Sequence, residues 1–368
     1  MTAARLRVLF NASAVPPRPA GAGVYALELA AALARRDDVD LTVASARQAP
    51  AGASILPSPA GGPLSAALWE QARLPMLMRR AEFDVYHGAH FAVPLAARVP
   101  CVATVHDLTF YRLPARYSPG RRAYYRLLAQ TAKTADRLIV PSRAVAGDAV
   151  HYLGYSPAKM RVVHEAARTG LAPAADDEVD ALRRRLGIER PYLLCVGTAE
   201  PGKRAVDAVR ALTLLKGEGR DISLVLAGNE GPLSMALGGE ARRLGVEDRV
   251  VFAGYVPDTE LAALYTGAVA LVFPSLYEGF GLPPLEAMAC GTPVIATDRP
   301  AMNEVLDEAA IFVPLRDPAA ICREASRLIE SESWRTEWAH RGRECAAGYG
   351  WERAAAETMD VYREVARV

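Results

Sequence analysis

From residue 6 to residue 313 the chain repeats one pattern, a short run of Val, Ile and Leu followed by a longer stretch of helical periodicity. The runs are apolar throughout rather than at every second position. Both faces of each strand must therefore be covered, and a parallel sheet clothed by helices does this. In the first half strands are expected at 6–10, 40–44, 84–87, 102–105, 137–140 and 161–164, with helices at 24–35, 64–80, 121–134 and 143–152. In the second half strands are expected at 192–196, 223–227, 250–253, 268–273, 294–296 and 311–313. Alternation in both halves implies an α/β chain of two doubly wound, Rossmann-like domains. A length of 368 residues agrees, at about 150 residues per domain. The segment 167–180, ARTGLAPAADDEVD, is rich in Ala, Pro, Gly and acids and reads as a linker. The domains are thus expected at 1–172 and 173–350, with a closing helix at 351–368. Ligands bind beyond the carboxyl ends of such strands, so two domains of this kind are expected to face each other across a cleft.

Composition removes several function classes. Lys and Arg number 43 against 42 Asp and Glu, a formal charge of +1. A polyanion binder carries a larger surplus, so nucleic acid is not an expected partner. No apolar run approaches the roughly 20 residues needed to cross a bilayer. The amino-terminal MTAARLRVLFNASA is a basic stretch running into a short strand, too short for a secretory signal. Cys101, Cys195, Cys290, Cys322 and Cys345 lie far apart with no C-x-x-C pair, which argues against a disulfide framework and a cysteine zinc site. A cytoplasmic protein is expected.

The stretch 268–297, AVALVFPSLYEGFGLPPLEAMACGTPVIAT, carries the most chemistry. A buried strand leaves through Pro274 and Ser275 into the loop Tyr277, Glu278, Gly279, Phe280, Gly281, and Pro283 and Pro284 open a helix. Gly279 and Gly281 let the backbone approach a ligand, and the free N–H groups at the helix start suit a diphosphate. Carboxylates accept hydrogen bonds from vicinal hydroxyls, so Glu278 and Glu286 suit ribose or hexose recognition. Glu286 suits a helix-dipole or capping-box role equally well.

Glu278 and Glu286, separated by seven residues within PSLYEGFGLPPLEAMACGTPVI, resemble the signature of the family 4 glycosyltransferases. The resemblance extends through LCVGTAEPGKR (194–204), LVLAGNEG (224–231), RVVFAGYVPDTELAALY (249–265) and WERAAAETMDVYREV (351–365). In the first half PAGAGVYALELAAAL (19–33), VHDLTFYRLP (105–114) and ADRLIVPSRA (135–144) follow in the family's order. It implies a GT-B fold, with the last helix returning to the first domain, and retaining transfer of a hexosyl group from a nucleoside-diphosphate sugar. Glu286 would hold the ribose and Glu278 the transferred sugar. Backbone N–H groups around Gly279, Phe280, Gly281 and Leu282 would meet sugar and diphosphate, with Gly197 and Thr198 beside them. Lys203 would neutralise the diphosphate as its charge grows, which is where a fixed cation helps most. The family commonly places Arg-Lys-Asn after Glu-Pro; here Gly202, Lys203 and Arg204 stand, and Arg204 either replaces the missing cation or faces solvent. Tyr255 and Val256 match the family's nucleobase loop, though plain packing suits them as well.

In the first half, His106 follows a strand at its carboxyl edge, and the matching family residue contacts the donor sugar. His87 and His90 end the preceding strand and either help bind acceptor or, the reading favoured, are satisfied structural histidines; His151, His164 and His340 receive no functional reading. Gly21 and Gly23 resemble a dinucleotide fingerprint, but ten residues separate them from Phe10 and no acid follows the second strand, which ends at Arg47. The resemblance instead places this loop near donor phosphate and acceptor. Asp38-Val39-Asp40 copies a metal-binding D-x-D but sits where a helix passes into a strand, so solvated loop charges are the reading. No metal site and no cofactor is expected. Arg112, Arg116, Arg121, Arg122 and Arg126 lie among Tyr117, Tyr124 and Tyr125; they form either a solvated positive face or a peripheral contact with an anionic inner leaflet, the latter implying a lipid-linked acceptor. The expected partners are a nucleotide sugar and a glycan, lipid-linked or small-molecule hydroxyl. The motif style is similar to mannosyl- and rhamnosyl-type enzymes. A sugar-nucleotide epimerase or a phosphorylase on the same architecture, the latter without a pyridoxal-lysine motif here, remains as an alternative. A non-catalytic sugar-nucleotide-binding relic is the other; it should have lost Glu278, Lys203 or the glycine pair, and all are present.

Overall fold

The computed structural model describes residues 5–46, 49–59, 63–231 and 233–366. The first four residues of the amino-terminal stretch discussed above, Arg47 and the last two residues of the closing helix lie outside them. The chain divides into two compact units, Met1–Glu165 with Gly350–Val368, and Ala166–Tyr349.

The first unit holds seven strands, β1 (Leu6–Asn11), β2 (Val39–Ser45), β3 (Ser54–Pro57), β4 (Val85–Gly88), β5 (Cys101–Thr104), β6 (Arg137–Val140) and β7 (Met160–Val162). Their order is β3-β2-β1-β4-β5-β6-β7 and all pairings are parallel. Val8, Leu9 and Phe10 of β1 are wholly buried, as a strand covered on both faces must be. Chain order reverses direction between β1 and β4, which makes the gap beyond their carboxyl ends the unit's switch point. β3 was not expected: Ser-Ile-Leu-Pro is a four-residue edge strand, largely exposed, with no apolar run to mark it. The expected helix 64–80 is Pro63–Leu68 and Leu74–Met78 joined by a π-helical turn, Trp69–Arg73. Helix Trp351–Ala366 packs against helix Ala22–Ala34 and the strands β4 to β6. Its Tyr362 hydroxyl lies 2.6 Å from His87 Nδ1, and His87 Nε2 lies 2.8 Å from Thr104 Oγ1.

The second unit holds β8 (Tyr192–Val196), β9 (Ser223–Ala227), β10 (Val250–Gly254), β11 (Ala268–Phe273), β12 (Val294–Thr297) and β13 (Ile311–Val313), all parallel, in the order β10-β9-β8-β11-β12-β13. Its switch point lies between β8 and β11. The expected linker 167–180 is only partly one, because helix Asp176–Leu186 begins inside it. Asp176, Asp177 and Glu178 oppose the helix dipole, Glu178 Oε2 accepts from Ala175 N at 3.0 Å, and Arg183 to Arg185 close the other end. Acidity that reads as linker composition is helix-start chemistry here.

Candidate active site

Beyond the carboxyl ends of β8, β9, β10 and β11 lies a cavity of about 470 Å³, lined among others by Gly197, Thr198, Lys203, Gly228, Gly254 and Ser275. Gly197, Gly228 and Gly254 form part of its lining. A Cβ on Gly228 would lie 2.4 Å from the Gly197 carbonyl oxygen, so here backbone packs directly on backbone, with Gly197 N donating to the Ala227 carbonyl at 2.9 Å and Gly228 N to the Gly254 carbonyl at 2.8 Å. The Ser275 hydroxyl is buried with no hydrogen-bond partner among the described residues, an open polar group at the cavity wall. Sequence reading did not single it out, although it directly follows the strand whose loop carries Glu278.

Lys203 Nζ donates to Glu278 Oε1 at 2.7 Å, with side-chain exposures of 24% and 15%. The lysine comes from a short 3-10 turn after β8, and the glutamate from the loop after β11. The Gly202 carbonyl accepts from Leu276 N at 2.8 Å and ties the two loops together. Lys203 keeps two N–H donors beyond this bond and lies 5.2 Å from the Phe273 ring centroid. Gly281, at φ 109°, caps helix Leu282–Ala289 in a conformation that favours glycine, and a Cβ there would meet Met302 Cε at 2.5 Å. Phe280 and Leu282 are buried, and Phe280 meets Tyr349 edge-on at 5.8 Å.

Glu286 differs from expectation. It is 1% exposed, and both oxygens are engaged: Oε1 accepts from Arg168 Nη1, and Oε2 accepts from the Tyr265 hydroxyl at 2.7 Å. Burial pushes its pKa up, against the lowering effect of Arg168 and Tyr265. Asp258 lies 3.6 Å from Arg168 on the other side. In this conformation Glu286 is the anchor of an ion pair rather than an open ribose acceptor. Arg168 lies in the segment read as linker, so nothing in the local sequence announced it. Arg204 is corrected too. It neither faces solvent nor supplies a free cation, because its guanidinium forks onto the buried Asp207 at 2.8 and 2.5 Å. Lys203 is therefore the cation that this loop delivers to the cavity. Val256 is buried at 4% exposure and Tyr255 is half-buried, beside the cavity-lining Gly254.

In the first unit, Gly21 caps helix Ala22–Ala34 and Gly23 is buried in its first turn, so the glycine pair opens the helix that follows β1. His106 is 9% exposed with both ring nitrogens occupied, Nδ1 at 2.9 Å from Glu165 Oε1 and Nε2 at 2.9 Å from the Ala89 carbonyl. Burial lowers its pKa, but the hydrogen bond and charge of Glu165 outweigh burial and leave it above the ordinary value. Facing a carboxylate and a carbonyl, the ring satisfies both only as an imidazolium. The expected sugar contact finds neither nitrogen open in this conformation. Glu165, which holds His106, was missed, being nearly 60 residues away in sequence. Asp38 bonds to Arg36 and pairs with Arg363, consistent with loop charges. Of the basic patch, Arg112 pairs with Asp148, while Arg116 and Arg121 lie over the Tyr117 ring. Tyr117, Tyr124 and Tyr125 pack on the core rather than standing free, and Leu127 is 67% exposed. No helix among the described residues is long and apolar enough to cross a membrane. No three His, Cys, Asp or Glu side chains gather as metal ligands among the described residues.

Comparison with known proteins agrees with this architecture. A family model described as glycosyl transferases group 1 matches residues 178–345, and one described as glycosyltransferase family 4 matches residues 19–170. The chain is 30% identical to O-antigen chain mannosyltransferase B of Escherichia coli over 283 residues, covering 76% of this chain and 74% of that protein. It is 32% identical to D-inositol 3-phosphate glycosyltransferase of Salinispora tropica over 287 residues, 72% of this chain; the match spans only 59% of that relative's length. HepE of Anabaena, solved with UDP-glucose, superposes with a TM-score of 0.78 at 18% identity, covering 99% of this chain and 100% of that one. Fold, motifs and relatives agree: the chain is a glycosyltransferase of the GT-B fold and belongs to glycosyltransferase family 4.

Proposed function

We propose that the protein is a retaining hexosyltransferase whose donor is a nucleoside-diphosphate sugar, seated in the cavity of the second unit. The observation that carries this reading is the juxtaposition of Lys203 and Glu278 at the cavity beyond the carboxyl ends of the strands, where Gly197 and Gly228 also lie. A diphosphate needs a cation and a hexose needs a carboxylate for its hydroxyls; this corner offers both. Glu286 would receive the ribose once Arg168 yields one oxygen. The relative named a mannosyltransferase favours mannosyl transfer, and the neighbour solved with UDP-glucose favours a nucleotide sugar as donor.

Retention by double displacement needs a carboxylate nucleophile at the anomeric carbon. Glu278, held by Lys203, suits sugar recognition better. In the reading favoured here, the bond from the anomeric carbon to the diphosphate oxygen breaks. The acceptor oxygen bonds to that carbon on the same face, and its proton passes to the departing diphosphate. Lys203 offsets the charge that develops there, so metal-independent turnover is expected. The acceptor is a hydroxyl of a glycan or a lipid-linked glycan, and the arginine patch with exposed Leu127 offers a peripheral contact with an anionic leaflet. Incubation with GDP-mannose and UDP-glucose, in buffer containing EDTA, tests the reading by proton NMR of the first product. An α-configured product from an α-linked donor supports it. A β product, or turnover that requires added Mg²⁺, contradicts it.

A further inference from the structure

At the switch point of the first unit, Asn11, Ser13, Glu70 and Tyr86 form a polar cluster. Asn11 ends β1 and its side-chain amide donates to Glu70 Oε1 at 3.0 Å and to the Tyr86 hydroxyl at 2.9 Å. Its Oδ1 accepts from Ser13 N at 3.0 Å, and the Tyr86 hydroxyl passes on to the Ala92 carbonyl at 3.1 Å. The Ser13 hydroxyl donates to Glu70 Oε1 at 3.3 Å. Both donors to the carboxylate therefore converge on Oε1, while Oε2 receives none from the described residues. Glu70 is 5% exposed. Oε2 is not among the side-chain atoms sealed from water without a partner, so the small exposure that Glu70 keeps reaches this oxygen, and a ligand hydroxyl can replace the water there. The residue also sits in the π-helical turn Trp69–Arg73, an irregularity frequent at functional sites, though the same unit has another at Ala149–Leu153.

We propose that Glu70, with Asn11 and Ser13, is the hydroxyl-recognition site for the acceptor, and that Oε2 takes the vicinal hydroxyls of a sugar or cyclitol. Three observations converge on this: the open oxygen, the π turn, and a position where β1 and β4 part, which is where doubly wound sheets bind ligands. Burial pushes the Glu70 pKa up, with Asn11 and Ser13 opposing, so the carboxyl is tuned rather than locked in an ion pair. A polyol fits better than a cation, because the cluster offers one carboxylate surrounded by an amide and hydroxyls. The inference rests on the transferase reading for the word acceptor; the polyol site itself does not.

The test is saturation-transfer NMR with methyl α-D-mannopyranoside, methyl α-D-glucopyranoside and myo-inositol on the full chain, with UDP and GDP titrated into the same samples. The wild type should bind at least one polyol. Glu70→Gln, nearly isosteric, should weaken that binding tenfold or more while leaving nucleotide affinity and Tm unchanged. Ser13→Tyr, which adds bulk beside Glu70 but keeps the carboxylate, should lose polyol binding as well. Equal polyol binding in wild type and both variants overturns the site, as does a wild type that binds none of the three. A protein that binds polyol through Glu70 but neither nucleotide overturns the transferase reading and leaves the polyol site standing.

Discussion

Lys203 and Glu278 meet at 2.7 Å across the switch point of the second unit, one from the loop after β8 and the other from the loop after β11. They are 75 residues apart in sequence, yet each is placed by the strand immediately before it. The pair fixes both side chains before any ligand arrives, so no ordering is left for the moment of reaction.

Replacing Glu278 separates binding from chemistry. Glu278→Gln keeps the shape and removes the charge; transfer should fall by two orders of magnitude or more, in line with the loss of a preorganised electrostatic group. UDP or GDP affinity should change less than about threefold. Steady-state kinetics beside a nucleotide titration reads both quantities, and full activity would remove Glu278 from the site.

Lys203→Ala should act on the other half. It removes the cation that the loop after β8 brings to the cavity and leaves Glu278 without this partner. Nucleoside-diphosphate affinity should drop by about 2 kcal/mol, the worth of a hydrogen bond to a charged group. The corresponding nucleoside, which lacks phosphates, should bind as before. A titration with both ligands checks this, and equal losses for the two would place Lys203 elsewhere.

Arg168→Met strands the buried Glu286 carboxylate beside Tyr265. Breaking a buried pair in this way costs about 3–5 kcal/mol. With Arg168 gone, its lowering effect on the Glu286 pKa is gone too, so Glu286 takes up a proton more readily. The destabilisation should therefore be larger at pH 8 than at pH 5. Urea unfolding at the two pH values tests this; a pH-independent loss would mean that Glu286 is not the group responding.

His87 provides a pH signature in the first unit. Burial, followed by the charge of His106, pushes its pKa down to about 3, whereas an unfolded histidine titrates near 6.5. The unfolded chain thus binds a proton that the folded one refuses. Stability should decline as pH falls through the window from about 6.5 to 3, at up to roughly 1.4 kcal/mol per pH unit from this residue. His106 has the opposite sign: its raised pKa contributes stability below about 6.5 that is lost as pH rises through the folded value. Melting temperatures across pH for wild type and His87→Gln separate the two, since the variant should be less stable at pH 7 but show a flatter acid limb.

Most of the architecture was legible because it rests on local patterns. The strands at 137–140, 192–196, 223–227, 268–273 and 311–313 coincide with the expectation residue for residue, as each is an apolar run ended by a turn residue. β3 escaped because an exposed edge strand needs no apolar run, and helix Asp176–Leu186 escaped because its acidic first turn imitates a linker. In the site, Lys203 and Glu278 could be read from motifs, each lying just after a strand. Arg168 on Glu286, Glu165 on His106 and Asn11 on Glu70 could not, since each is a contact between segments 59 to 118 residues apart whose local sequences carry no trace of the partner. Arg204 shows the converse: its sequence neighbourhood suggests a ligand cation, and a carboxylate three residues on, Asp207, takes it.

The most direct test of the donor site is a calorimetric titration of wild type and Lys203→Ala with UDP, GDP, ADP and dTDP, in EDTA and again with Mg²⁺. One diphosphate should bind the wild type in the micromolar range without metal, and its affinity should fall in Lys203→Ala. A wild type that binds none of the four, or binds one only with Mg²⁺ and equally well without Lys203, would contradict a metal-independent diphosphate site built on Lys203 and Glu278.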